Sequence, residues 1–187
     1  MSSIIEGIRE NPIVAAIRRS EDMQDAIDSC VSTIFILNTD IFNVKELVAR
    51  IKSSGKNVLV HIDFVEGLGK DHKAIDYIAQ YAKPDGIIST KSQQIKYARE
   101  SGIFAIQRFF LVDSLSMHTT LRSIQSLKPD MVEIMPAIMP DVIARITRQI
   151  DVPVIAGGLI DSKKDIIEIL KAGALGASTG KKELWSL

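Results

Sequence analysis

The feature that most constrains this chain is an alternation. Short runs of β-branched and small apolar residues are each followed by a stretch with helical periodicity, eight times over 187 residues. The runs begin at Ile13 (IVAAI), Thr33 (TIFIL), Asn57 (NVLVHID), Gly86 (GIIS), Ile103 (IFAIQRFF), Met131 (MVEIM), Pro153 (PVIAGG) and Ala174 (ALGAST). Strands this apolar are buried on both faces, as in parallel sheets covered by helices. Between them Met23, Ala26, Ile27 and Cys30 fall on one helical stripe, as do Val44, Leu47, Val48 and Ile51, then Ile75, Ile78, Ala79 and Ala82. Ser20, Asp113 and Asp161 are positioned as helix N-caps. Gly55 and Gly102 are positioned as stops, because glycine tolerates the left-handed backbone there. Parallel strands need right-handed crossovers, and eight of them close into a ring. The expected fold is therefore α/β, a compact (β/α)8 TIM-type barrel, with residues 1–187 forming one domain. Such barrels usually run to about 250 residues, so this one must have minimal loops. An open doubly wound sheet is the competing fold, and it leaves two or three of the strands unexplained.

Composition narrows the partners. Lys plus Arg number 23 and Asp plus Glu 23, so the formal net charge is zero. That excludes a nucleic-acid binder driven by bulk electrostatics, though not a local basic patch. With the single cysteine Cys30 no intrachain disulfide forms, which fits a reducing compartment. The first ten residues carry Glu6, Arg9 and Glu10 rather than a signal-peptide core, and no apolar run reaches the length of a membrane span. The reading is a cytoplasmic protein with no membrane partner.

In a barrel of this kind ligands meet the C-terminal ends of the strands, and the loops after strands seven and eight commonly hold phosphate. Those loops read Ala156-Gly157-Gly158-Leu159-Ile160 and Ala177-Ser178-Thr179-Gly180-Lys181. Glycine lets backbone N–H groups approach phosphate oxygens, Ser178 and Thr179 add hydroxyls, and a short helix from about Lys181 would aim its positive end inward. Gly157, Gly158, Ser178, Thr179 and Gly180 are the candidate phosphate residues. The stretch is not a nucleotide P-loop, because Leu175 and Lys182 stand where a Walker motif needs Gly and Ser or Thr.

Other strand ends carry polar groups. Strand three ends His61-Ile62-Asp63, and alternation places His61 and Asp63 on one face, either as acid–base groups or as a hydrogen-bonded interior pair. Glu66 follows in a glycine-rich loop, Lys91 follows strand four, and Arg108 ends strand five, where its fork suits an anion. Glu133 lies within apolar strand six, so it needs a partner such as Lys91 or Arg108, or a polyol ligand. Cys30 reads as a structural residue on an apolar helical stripe, and Trp185 as a cap on the barrel or an interface. The pair Arg18-Arg19 reads as solvated surface. The histidines have no metal-ligand spacing, so no metal is expected.

Taken together, VHIDFVEGLGKD (60–71), DGIIST (85–90), IQRFF (106–110), VEIMPAIMP (132–140), IAGGLI (155–160) and ALGASTGKKELW (174–185) resemble the glycerol-3-phosphate-responsive antiterminators of the glycerol uptake operon. The resemblance spans ENPIVAAI (10–17) to Trp185. It implies a barrel with no cofactor and no catalytic residue, which binds glycerol 3-phosphate as an effector and then binds leader mRNA to prevent transcription termination. By the same resemblance Gly157, Gly158, Ser178 and Thr179 hold the phosphate, and Asp63, Glu66, Lys91, Arg108 and Glu133 match recurrent positions near the barrel mouth. Lys70, Lys73, Lys181 and Lys182 are the basic candidates for RNA contact. A homodimer would strengthen a weak patch through multivalency. The alternative from a different class is a phosphosugar isomerase, epimerase or glycerol-phosphate-using synthase with His61, Asp63 and Glu133 as the acid–base set, because one barrel hosts many chemistries.

Overall fold

The computed structural model describes residues 3–187. Eight parallel strands close into a ring in which every strand lies between its neighbours in sequence. They are β1 (Ile13–Ile17), β2 (Thr33–Ile36), β3 (Asn57–His61), β4 (Gly86–Ser89), β5 (Phe104–Phe110), β6 (Met131–Met135), β7 (Val154–Gly157) and β8 (Gly176–Thr179). Pairing of Ile13–Ala15 with Ala177–Thr179 completes the ring. The eight α-helices among the described residues are α1 (Ser3–Glu10), α2 (Met23–Asp28), α3 (Val44–Ser53), α4 (His72–Tyr77), α5 (Ser92–Glu100), α6 (Ser114–Leu127), α7 (Pro140–Thr147) and α8 (Lys163–Lys171). The chain is a TIM-type barrel, and the open sheet is excluded. Its observed strand starts depart from the expected ones by at most two residues.

Alternation along each strand divides the core in two. Outward residues such as Ile34, Val58, Ile87 and Ile134 pack under the helices. Inward residues, among them Val14, Phe35, Leu59, Ile88, Ile106, Met131 and Ile155, fill the barrel. Helix α1 lies across the N-terminal end of the ring and seats Ile4 and Ile8 against that interior, both fully buried. Its close approach needs Gly7, where a Cβ would stand 2.9 Å from the Ser32 hydroxyl.

Helix ends follow the sequence in part. Asp113 caps α6 through the Ser116 N–H in a reciprocal capping box. Gly55 and Gly102 adopt φ of 80° and 72° just past α3 and α5, as stops require. The cap of α8 is Ser162 rather than Asp161, because Asp165 three residues on completes a capping box with the serine. Ser20 opens a 3-10 turn ahead of α2 and caps nothing with its side chain. Cys30 is exposed and lies beyond α2, which stops at Asp28, so it is not on the buried stripe.

Candidate functional site

At the C-terminal end of the ring the interior turns polar. Arg108 on β5 and Glu133 on β6 are direct register partners. Register thus selects Arg108 over Lys91 as the partner of Glu133. Arg108 Nε donates to Glu133 Oε2 at 2.5 Å, and Ser178 Oγ on β8 donates to Oε1 at 2.5 Å. All three residues are buried, Glu133 completely. A buried carboxylate is tolerated only when paired and hydrogen-bonded in this way. Gly157 on β7 makes the room, since a Cβ there would meet Glu133 Oε1 at 2.8 Å. The pair fixes Arg108 through Nε alone. No hydrogen bond among the described residues engages its two Nη groups, and Arg108 lines the cavity above. A guanidinium held by one edge presents the other to a ligand, in a geometry suited to phosphate or carboxylate.

That cavity encloses about 510 Å³. Ala16, Arg108, Glu133 and Ser178 meet it from the strands, Arg18, Arg19 and Asp22 from the segment after β1, and Gly158 to Asp161 and Thr179 to Lys181 from the last two loops. Gly158 of the first glycine turn and Ser178, Thr179 and Gly180 of the second therefore face one cavity, whereas Gly157 is absent from its lining. Gly158 has φ of 80° and Leu159 of 59°. Two left-handed residues in succession make the turn sharp, and the non-glycine one costs about 1–2 kcal/mol. The Thr179 hydroxyl accepts from the Lys181 N–H at 3.1 Å and shapes the second turn. The chain then makes one 3-10 turn, Lys182–Leu184, in place of the expected helix, so no macrodipole points inward. Trp185 is buried, and its indole N–H donates to the Thr179 carbonyl at 2.8 Å, pinning the end of β8.

His61 and Asp63 part company. Strand β3 stops at His61, and Ile62–Phe64 is a 3-10 turn, so alternation fails there. Asp63 instead accepts from the Ser89 hydroxyl at 2.5 Å, the Thr90 hydroxyl at 2.7 Å and the Thr90 N–H at 2.9 Å, binding the ends of β3 and β4 together. Burial raises its carboxyl pKa, but these bonds outweigh burial and hold it below the ordinary value. His61 is buried with both ring nitrogens unpartnered, and its ring lies 4.7 Å from that of Phe64. Burial first, and the Arg108 charge second, push its pKa down to about 4. His61, Asp63, Glu66 and Lys91 are absent from the lining of the cavity above Arg108.

Most of the basic candidates are neutralised. Lys181 pairs with Asp161 at 2.7 Å, Lys182 with Asp22 at 2.5 Å and Asp25 at 2.7 Å, and Lys73 with Asp76 at 3.2 Å. Lys70 is exposed and has no ion pair among the described residues. Arg18 and Arg19 are exposed, as their reading as solvated surface expects, and they also form a wall of the cavity, which sequence reasoning does not foresee. The signal is present, because they directly follow the last residue of β1. The mouth is also ringed by exposed apolar side chains, namely Phe42, Phe64, Phe110, Val112, Leu115, Ile138 and Leu159.

A family of glycerol-3-phosphate responsive antiterminators matches residues 13–185. The chain belongs to that family. This antiterminator-family chain is 37% identical over 180 residues to the uncharacterized protein YgcP of Escherichia coli (strain K12), covering 96% of this chain and 94% of that protein. It superimposes on a glycerol uptake operon antiterminator regulatory protein from Listeria monocytogenes with a TM-score of 0.90 at 35% identity, covering 94% of this chain and 95% of that one. A glycerol uptake operon antiterminator-related protein from Thermotoga maritima gives 0.83 at 34% identity, covering 92% and 96%. No helix among the described residues of this family member is long and apolar enough to cross a membrane.

Proposed function

We propose that this antiterminator-family chain senses glycerol 3-phosphate in the barrel mouth and, when loaded, binds the leader mRNA of glycerol-utilisation genes in the cytoplasm. In this reading the chain acts as one barrel domain and turns nothing over. The observation that carries it is Arg108, held by Glu133 through Nε and with no hydrogen bond to either Nη group among the described residues, on the floor of a cavity walled by the two glycine turns. The phosphate sits between Arg108 and the turns Gly157-Gly158 and Ser178-Thr179-Gly180. The hydroxyl end of the ligand lies toward Arg18 and Leu37, with His61, Asp63, Glu66 and Lys91 bracing the opposite rim. Several bonds weigh against acid–base chemistry. Glu133 is occupied by Arg108 and Ser178, Asp63 is occupied by Ser89 and Thr90, and His61 bonds to neither.

Calorimetric titration tests the effector site. Glycerol 3-phosphate is expected to bind saturably, with glycerol and inorganic phosphate far weaker and no product visible by NMR. Equal affinity for the three, or turnover, overturns the reading.

A further inference from the structure

Two buried polar groups at the open end of the barrel have no partner among the described residues. One is the Nη edge of Arg108. The other is His61. Leu59 points into the barrel, and alternation along β3 turns His61 the same way. Its side chain is 1% exposed, and neither ring nitrogen has a hydrogen-bond partner in any other described residue. Thr39 Oγ1 and Gln94 Oε1 share that property among the described residues, but Thr39 lies in the small ladder outside the ring and Gln94 on α5. Ile36 pairs with Val60, which sets Leu37 beside His61, and Leu37 lines the cavity above Arg108. On the other side Ile88 pairs with both His61 and Ile106, two residues before Arg108. His61 thus shares the inward face with Arg108, two strands away, and stands across the ring from the turn after β7.

A buried polar group without a partner costs free energy, and an apolar side chain of similar size would fill the same space at lower cost. Burial and the Arg108 charge keep the imidazole neutral at physiological pH, with a pKa of about 4. A neutral imidazole has one donor nitrogen and one acceptor nitrogen. The acceptor is satisfied only by a group that brings a hydrogen. A phosphate dianion brings none, whereas a hydroxyl does. Arg108 is the converse, because its Nη groups only donate and so suit phosphate oxygens. The two side chains therefore fit different ends of one molecule. The cover over His61 is Phe64, whose ring lies 4.7 Å away and is 55% exposed. The turn that carries it, Ile62–Phe64, is anchored by Asp63 on Ser89 and Thr90. With that backbone held, rotation of the Phe64 side chain is enough to uncover the imidazole.

We propose that His61 reads a hydroxyl of the effector, across the cavity from the phosphate, and so selects a polyol phosphate over a simple alkyl phosphate. The assignment rests on the reading of the cavity as a glycerol 3-phosphate site and adds which side chain recognises the glycerol part. In the unloaded protein the imidazole gives the fold nothing that an apolar residue would not, and its polarity is used on binding.

The test is calorimetric titration of the wild type, His61→Leu and His61→Gln with glycerol 3-phosphate and with n-propyl phosphate, which has the same three-carbon chain and no hydroxyl. Thermal unfolding of each unloaded protein accompanies it. The wild type is expected to bind glycerol 3-phosphate about tenfold or more tighter than n-propyl phosphate, because the alkyl ligand leaves the imidazole unpaired. His61→Leu should lose that difference and bind both ligands about as the wild type binds n-propyl phosphate. His61→Gln keeps a donor and an acceptor and should retain part of it. Unloaded His61→Leu should melt no lower than the wild type, since it removes a buried group that has no partner. If His61→Leu keeps the wild-type preference for glycerol 3-phosphate, the assignment is wrong and the effector reading stands. If the wild type binds the two phosphates equally, the assignment is overturned while phosphate binding stands. A His61→Leu protein that melts lower or fails to fold makes His61 a residue of the fold and overturns the assignment as well. If the wild type binds neither ligand, the effector reading itself fails and takes this assignment with it.

Discussion

The two ends of this barrel are built on opposite principles. At the N-terminal end α1 closes the ring with Ile4 and Ile8, and the contact is apolar and dense. At the C-terminal end no helix among the described residues lies across the ring, and the interior finishes in Arg108, Glu133 and Ser178. The first end converts buried area into stability. The second spends stability on a buried charge pair and a left-handed turn at Gly158-Leu159, and gains a cavity with an oriented cation. Loss of stability and loss of ligand binding should therefore separate by end.

The greatest change is expected at the open end. Glu133→Ala leaves Arg108 buried without its partner and should cost about 3–5 kcal/mol in denaturant unfolding, with glycerol 3-phosphate affinity lost as well. At the closed end Ile8→Ala should cost roughly 2–4 kcal/mol through the cavity it leaves, yet leave that affinity intact. A change in affinity there would contradict the division between the ends.

At His61 the same division is tested through pH. Its folded pKa lies near 4, below the ordinary 6.5, so between those values the unfolded chain binds a proton that the folded chain does not. Stability must then fall as pH drops through that window, by roughly 3 kcal/mol in all. His61→Gln should flatten the slope of unfolding free energy from pH 6.5 to 4. The Asp63 carboxyl, held low, adds its own loss only below the ordinary carboxylate range, so the two contributions separate. A milder change belongs to Gly55→Ala beside the closed end, about 1 kcal/mol for a Cβ forced into φ of 80°, with no change in ligand affinity.

Strands and most helices were legible because periodicity is a local property. Ile13, Thr33, Asn57, Gly86 and Met131 begin strands where the apolar runs begin. The glycine turns were legible too, because the fold places the ends of β7 and β8 together. The partner of Glu133 was not, since Lys91 and Arg108 fit equally well until register placed Arg108 beside it. The face of Asp63 was not legible either, because nothing in Ile62-Asp63-Phe64 announces a turn. The bonds that bend the chain there come from Ser89 and Thr90 on another strand. Arg18 and Arg19 escape notice because a basic pair carries no pattern of its own, and only the course of the β1 segment makes it a wall.

The ladder between Ile13–Ala15 and Ala177–Thr179 also governs how the fold is reached. It joins the first and last strands in sequence, and closing a loop of that length costs on the order of 5 kcal/mol in chain entropy before any reward. Until it forms, β1 and β8 are open edges able to pair with other chains. Lys182, bonded to Asp22 and Asp25, spans the same junction. The rate-limiting event in making this protein is therefore expected to be zipping of that seam, and substitutions along it should register in refolding yield before they register in equilibrium stability.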